Sequence, residues 1–218
     1  MILAAGRGAR LKPLTDSMPK PLVQVKNKPL IVYHLEKLAK MNISEVVINV
    51  WHLGYKIKQY LGNGSAWGLH IVYSEEEILL ETGGGICKAL PLLGDQDFIL
   101  INGDVFTQYD FGQLLAINLA TKKLLGHLVL VPNPNYKLVG DYGVDTEGFA
   151  TQIPTYTYAG LAKLSPNLFK TESVRKFRLP ELFVETMPQK KIGAELYQGF
   201  WYDVGTIERL KELESSII

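Results

Sequence analysis

The 218-residue sequence has one cysteine, Cys87, and four histidines. A lone thiol excludes an internal disulfide and suits a reducing, cytoplasmic compartment. No histidine lies near Cys87 in sequence, so it is expected to pack as a small apolar side chain on a helix. Net charge is also scarce, since 23 Lys and Arg against 22 Asp and Glu leave +1. That removes the basic excess of a nucleic-acid surface. No apolar run reaches the ~18 residues of a membrane span. The opening residues lack the basic and long apolar stretches of a signal peptide and read as a core strand. There are no internal repeats and no low-complexity tracts. The string G-x-x-x-x-G-K-[ST] is missing, which excludes a P-loop.

What is present reads as one α/β domain over residues 1–218, with 47 % hydrophobic residues to build its core. LIVYHLEKLAKM, residues 30–41, has the spacing of an amphipathic helix, with His34 as a packing residue. EVVINV, residues 45–50, is a buried parallel strand. A helix over 55–61 and a strand over 70–73 continue the alternation of βαβ units. Residues 86–93 read as a helix opened by the glycine triplet of Glu81-Thr82-Gly83-Gly84-Gly85. Strands follow over 98–101 and 127–131, and Asp110 caps the helix between them. Residues 132–164 break the alternation with Pro, Asn, Gly, Thr and Tyr. They predict a hairpin-like excursion over the carboxyl edge of the sheet. A helix over 179–187, a strand over 192–197 and a charged helix capped by Thr206 complete the chain.

The chemistry concentrates in the first thirty residues. An apolar strand ends at Ala5-Gly6-Arg7-Gly8, and Arg10, Lys12 and Lys20 follow in a proline-punctuated loop. Glycines let backbone N–H groups approach an anion, and fixed cations neutralise it. Asp104 stands just past the apolar strand Phe98 to Ile101, where parallel sheets place ligands. Asp203 follows an aromatic run and precedes Gly205-Thr206.

Leu3-Ala4-Ala5-Gly6-Arg7-Gly8-Ala9-Arg10-Leu11-Lys12-Pro13-Leu14-Thr15, then Pro19-Lys20-Pro21-Leu22, resembles the signature of the sugar-1-phosphate nucleotidyltransferases. Asn102-Gly103-Asp104 and Trp201-Tyr202-Asp203-Val204-Gly205-Thr206 resemble that family's two metal-binding segments. The resemblance spans about residues 1–215. It implies a Rossmann-like, mixed, mostly parallel sheet flanked by helices, with a small β excursion over the sugar site. It also implies Mg²⁺ held by Asp104 and Asp203, and catalysis by Arg10 and Lys20. Leu3, Ala4, Ala5, Gly6, Gly8, Glu76, Thr82, Gly83 and Asn102 would meet the nucleotide. Asp141, Gly143 and Gly160 would meet the sugar.

Two departures are visible. Ala9 replaces a common Thr or Ser, and the E-K-P motif of larger members is missing after residue 150. Relatives usually carry one or two residues ahead of the first strand. The implied partners are a nucleoside triphosphate and a sugar 1-phosphate, with no nucleic acid or membrane, in a monomer or homodimer. The ETGGG form, NGDV and the missing E-K-P look most like the uridylyltransferases acting on N-acetylmuramate 1-phosphate in peptidoglycan recycling. The alternatives are mannose-1-phosphate guanylyltransferases, cytidylyltransferases acting on phosphocholine, and non-catalytic nucleotide-sugar-binding subunits. A subunit of the last kind should lack Arg10, Lys20 or one aspartate, and all four are present.

Overall fold

A computed structural model describes residues 1–217. In chain order the strands are Ile2–Leu3 (β1), Gln24–Val25 (β2), Lys28–Pro29 (β3), Glu45–Val50 (β4), His70–Glu75 (β5) and Phe98–Asn102 (β6). Val105–Thr107 (β7), Gly126–Val131 (β8), Tyr142–Val144 (β9), Ala150–Leu164 (β10), Ile192–Leu196 (β11) and Trp201–Asp203 (β12) follow. The helices are Leu14–Ser17 (α1), Leu30–Lys40 (α2), Gly54–Leu61 (α3), Glu81–Leu93 (α4), Phe111–Ala116 (α5), Leu179–Thr186 (α6) and Ile207–Ser216 (α7).

The main sheet runs β11-β8-β10-β6-β1-β4-β5, with β9 added to β10. β1 is central and pairs in parallel with β4 and β6, so Ile2 faces both Ile48 and Ile101. Both faces of these strands are covered, which is why they read as unbroken apolar runs. The two-residue alternation sorts their side chains. Val46, Ile48, Ile99 and Ile101 pack with Ile31 and Leu35 of α2, Ile57 of α3 and Phe111 of α5. Val47, Phe98 and Leu100 pack with Ile86 and Ala89 of α4 and Phe183 of α6 on the other face. A third cluster joins Leu11, Val23 and Val25 to Phe106, Val204 and Leu213, and so ties the N-terminal loop to β7, β12 and α7.

Two expectations need correction. Residues 150–164 are more than an excursion. The inner half of β10 lies between β6 and β8, antiparallel to both. Only its outer half pairs with β9 as a hairpin. The register shifts between Tyr158 and Ala162, where Gly160 takes the left-handed φ of 72°. That irregularity, with Pro154 upstream, breaks the alternation that marks a strand in sequence.

The glycine triplet also does not precede its helix; α4 starts at Glu81 and runs through it. A Cβ on Gly83 would stand 2.3 Å from the Phe177 ring. On Gly84 it would stand 2.0 Å from the Arg175 carbonyl, and on Gly85 2.7 Å from the Glu76 carboxylate. Gly83 and Gly84 therefore admit the 175–177 segment against the helix, Gly85 admits the Glu76 carboxylate, and close packing overrides their low helix propensity.

Candidate active site

β1 and β6 end side by side, and the cleft beyond them holds a cavity of about 300 Å³. Leu3, Ala4, Ala5, Gly6, Asn102 and Asp104 line it, together with Arg7, Lys20 and Thr82. The loop after β1 is held at several points. The Ala4 amide donates to Asn49 Oδ1 at 2.8 Å. Gly8 takes a left-handed φ of 66°, and Thr15 Oγ1 donates to its carbonyl at 2.8 Å. A side chain at Gly8 would meet Thr15 Cγ2 at 2.8 Å, so the turn needs glycine twice over. Gly8 itself does not line the cavity; it shapes the turn that brings Lys20 back.

Lys20 is nearly buried, and its ammonium bridges Asp104 Oδ2 at 2.5 Å. Asp203 reaches the same place through the backbone. β12 pairs antiparallel with β7 and sets Asp203 opposite Val105. The Val204 amide then donates to the Asp104 carbonyl at 3.0 Å. Arg209, one turn into α7, donates from NH1 to Asp203 Oδ2 at 2.9 Å. Its guanidinium also stacks on the Tyr136 ring, 3.4 Å from the centroid. Arg10 is exposed and lies outside the cavity lining, beside Gly205. A Cβ at Gly205 would stand 2.6 Å from the Arg209 guanidinium and 3.3 Å from that of Arg10, so glycine leaves room for both cations.

Burial pushes the Asp203 carboxyl pKa up, and the neighbouring Asp104 carboxylate pushes it further; Lys20, Arg209 and Arg10 pull it back. Asp203 Oδ1 is buried without a hydrogen-bond partner. Among the described residues no cluster of three or more His, Cys, Asp or Glu could hold a metal. A pair of carboxylates with a free oxygen nevertheless suits Mg²⁺, which takes one or two protein carboxylates and completes its shell with water and substrate phosphates.

Two residues predicted to meet the nucleotide lie behind the cavity wall. Glu76 is buried and accepts from Asn49 Nδ2 at 2.7 Å and from the Leu80 amide at 2.9 Å. Burial raises its pKa against those hydrogen bonds. It orients Asn49, which does line the cavity. Gly83 donates its amide to the Phe177 carbonyl at 3.0 Å and is packed under that ring, so its backbone is not offered to a ligand. Thr82 lines the cavity, and its hydroxyl accepts from the Leu179 amide at 2.9 Å.

A second cavity, about 580 Å³, adjoins the first and shares Leu3, Glu81, Thr82 and Asn102 with it. Asp141, Tyr142 and Tyr158 form one side and α6 the other. Asp141 accepts from Lys137 Nζ and from the Tyr158 amide. Gly143 and Gly160 do not line it. Gly143 packs under the Thr151 hydroxyl in the β9–β10 hairpin, and Gly160 opens the space that the Asn102 side chain fills, 2.6 Å from where a Cβ would be.

Sequence reasoning passed over Asn49, Glu81, Arg178 and Arg209. Asn49 left a signal, as the one amide in a β-branched strand. Glu81 stood in plain view in the ETGGG segment, and the two arginines sit in ordinary charged surroundings and left no signal.

The family described as Nucleotidyl transferase matches residues 1–154. The chain is 40 % identical to N-acetylmuramate alpha-1-phosphate uridylyltransferase of Neisseria meningitidis, over 99 % of this chain and 96 % of that one. It is 30 % identical to the mannose-1-phosphate guanylyltransferase catalytic subunit beta of Dictyostelium discoideum, over 94 % of this chain but 60 % of that longer one. Among solved structures, a putative glucose-1-phosphate thymidylyltransferase of Bacillus anthracis superposes with a TM-score of 0.86 at 19 % identity, covering 98 % of this chain and 92 % of that one. The shared sheet, the glycine loop and the length of the match lead to one conclusion: the chain belongs to the nucleotidyl transferase family.

Proposed function

We propose that the chain, acting as a single domain, joins UTP to N-acetylmuramate 1-phosphate and releases pyrophosphate. The observation that carries the chemistry is the meeting of Asp203 with Asp104 and Lys20, the last two lining the glycine-loop cavity. The substrate pair is supported by the 40 % identity to the Neisseria uridylyltransferase over nearly all of both chains.

In this reading the glycine loop and Asn49 shape the nucleotide cavity, and the adjoining cavity takes the sugar. An oxygen of the sugar 1-phosphate attacks the α-phosphorus, the new P–O bond forms, and the bond to the β-phosphate oxygen breaks. The nucleophile is already an anion at neutral pH, so no general base is needed. Lys20 stabilises charge at the α-phosphate, and Arg10 neutralises the departing pyrophosphate. Asp104 and Asp203 hold Mg²⁺, which when bound neutralises phosphate charge. Lys20 and Arg209 keep the two carboxylates in place before the ion arrives. The reading places the enzyme in the cytoplasm and in peptidoglycan recycling.

The test is pyrophosphate release with Mg²⁺, crossing UTP, GTP, CTP and dTTP against N-acetylmuramate, N-acetylglucosamine, mannose and glucose 1-phosphates. Turnover is expected with UTP and N-acetylmuramate 1-phosphate and is expected to vanish in Asp104→Ala. Preference for GTP and mannose 1-phosphate, the reading that the Dictyostelium relative favours, would replace the substrate and keep the mechanism. No release from any pair would overturn catalysis.

A further inference from the structure

The second cavity contains a cation that no described residue answers. Asp141 is matched by Lys137, at 2.5 Å. Glu81 stands at the junction and lines both cavities. Arg178 lines the second cavity alone, on the α6 wall. Among the described residues its guanidinium makes no ion pair and no hydrogen bond; only its backbone is engaged. Its amide donates to Glu181 Oε1 at 3.0 Å, and its carbonyl accepts from the Glu181 amide at 3.0 Å. Phe177 and Leu179 on either side are buried at 3 % and 2 % exposure. The root of the side chain is therefore fixed while its charged head is free. In the wall facing α6 the Tyr158 hydroxyl is buried without a partner.

Position decides what the cation meets. Lys20, Asp104 and the glycine loop line the first cavity and not the second. Phosphates therefore belong to the first, and the body of the sugar to the second. Arg178 faces ring substituents and not the phosphate common to all sugar 1-phosphates.

We propose that Arg178 is a specificity residue that takes a carboxylate carried on the sugar ring; the inference rests on the sugar 1-phosphate reading above. A planar guanidinium pairs with a carboxylate through two parallel hydrogen bonds. N-acetylmuramate carries that acid on an ether side chain, and N-acetylglucosamine is the same ring without it. Glu81 repels the acid from the nucleotide side and leaves the α6 wall as its place. The contact lies away from the reacting atoms, so its loss falls on KM more than on kcat.

The experiment measures KM and kcat for both sugar 1-phosphates, and Kd for the two uridine-diphosphate products by calorimetry, with wild type, Arg178→Gln and Arg178→Lys. The exposed position lets each variant fold, which circular dichroism checks. In Arg178→Gln the preference for the acidic sugar is expected to fall about 10- to 100-fold, the size of a charge-assisted contact. Arg178→Lys keeps part of it. An unchanged preference overturns the proposal, as does equal weakening of both sugars, which would place Arg178 on the phosphate. Equal wild-type affinity for the two products also overturns it. If wild type turns over no acidic sugar yet accepts mannose 1-phosphate with GTP, the substrate reading itself has failed, and Arg178 loses its acid with it.

Discussion

Gly84→Ala tests why the first turns of α4 carry three consecutive glycines. By propensity alone, alanine inside a helix should stabilise by about 1 kcal/mol. The structure gives the opposite sign. The new Cβ would stand 2.0 Å from the Arg175 carbonyl oxygen, and backbone, unlike a flexible side chain, has no rotamer to escape into. Relieving the contact means moving the 175–177 segment, whose Phe177 carbonyl accepts the Gly83 and Gly84 amides. Overpacking of this kind costs about 1–3 kcal/mol and occasionally more; set against the propensity gain, the net loss is roughly 1 kcal/mol. For a chain of this length that is a fall of about 2–4 °C in melting temperature. Gly83→Ala meets a ring at 2.3 Å and is expected to lose less, because a ring can tilt. Scanning calorimetry or urea denaturation reads both. A Gly84→Ala variant that melts at or above wild type would refute the packing account. The triplet would then have to be explained by ligand contact.

Asn49→Ala leaves the buried Ala4 amide without its acceptor and Glu76 Oε1 without its donor, and is expected to cost about 1–3 kcal/mol in urea denaturation while raising KM for the nucleotide. Lys20→Ala removes the cation that pins Asp104 and is expected to lower kcat roughly 10²–10³-fold in the pyrophosphate assay. His34 and His127 are buried, with pKa values lowered by burial to about 4. Between that value and the usual 6.5 the unfolded chain binds protons that the folded chain does not, so stability falls as pH drops through this window. The loss is up to about 3 kcal/mol per histidine, and His127→Leu is expected to remove about half of the slope in denaturation at pH 7.5 against pH 5. Chelating Mg²⁺ is expected to stop turnover and leave the melting temperature unchanged, since Asp104 and Asp203 are already held by Lys20 and Arg209.

The parallel half of the sheet was legible because its strands are buried on both faces and read as apolar runs between helical periods. Asp104 was legible because it stands at the end of such a run; Asp203 follows a half-buried aromatic stretch and was marked out by its resemblance to the family's second metal-binding segment. Their meeting was not, since it depends on β7 pairing with β12, two three-residue strands with no periodicity to detect. The place of β10 was hidden by Gly160 and Pro154, and its outer half is exposed while its inner half is core. The setting of Glu76 was hidden for a different reason. A carboxylate near a binding loop suggests contact, and only the fold shows that Asn49 stands between. Arg178 and Arg209 carry no local mark; what they do depends on which wall their helices form.

The pairing of Asp203 with Val105 also bears on how the protein is made. A ribosome delivers the glycine loop, Lys20 and Asp104 early, and they can find one another while the rest is unmade. The second carboxylate arrives almost a hundred residues later, as a rung on a ribbon whose other edge has been waiting. Until that rung closes, the cleft has one aspartate locked to a lysine and no second carboxylate beside it. In the proposed mechanism a nascent chain, or one clipped before β12, is therefore silent and not merely slow. Turnover becomes a report that the polypeptide has been finished and its far end docked.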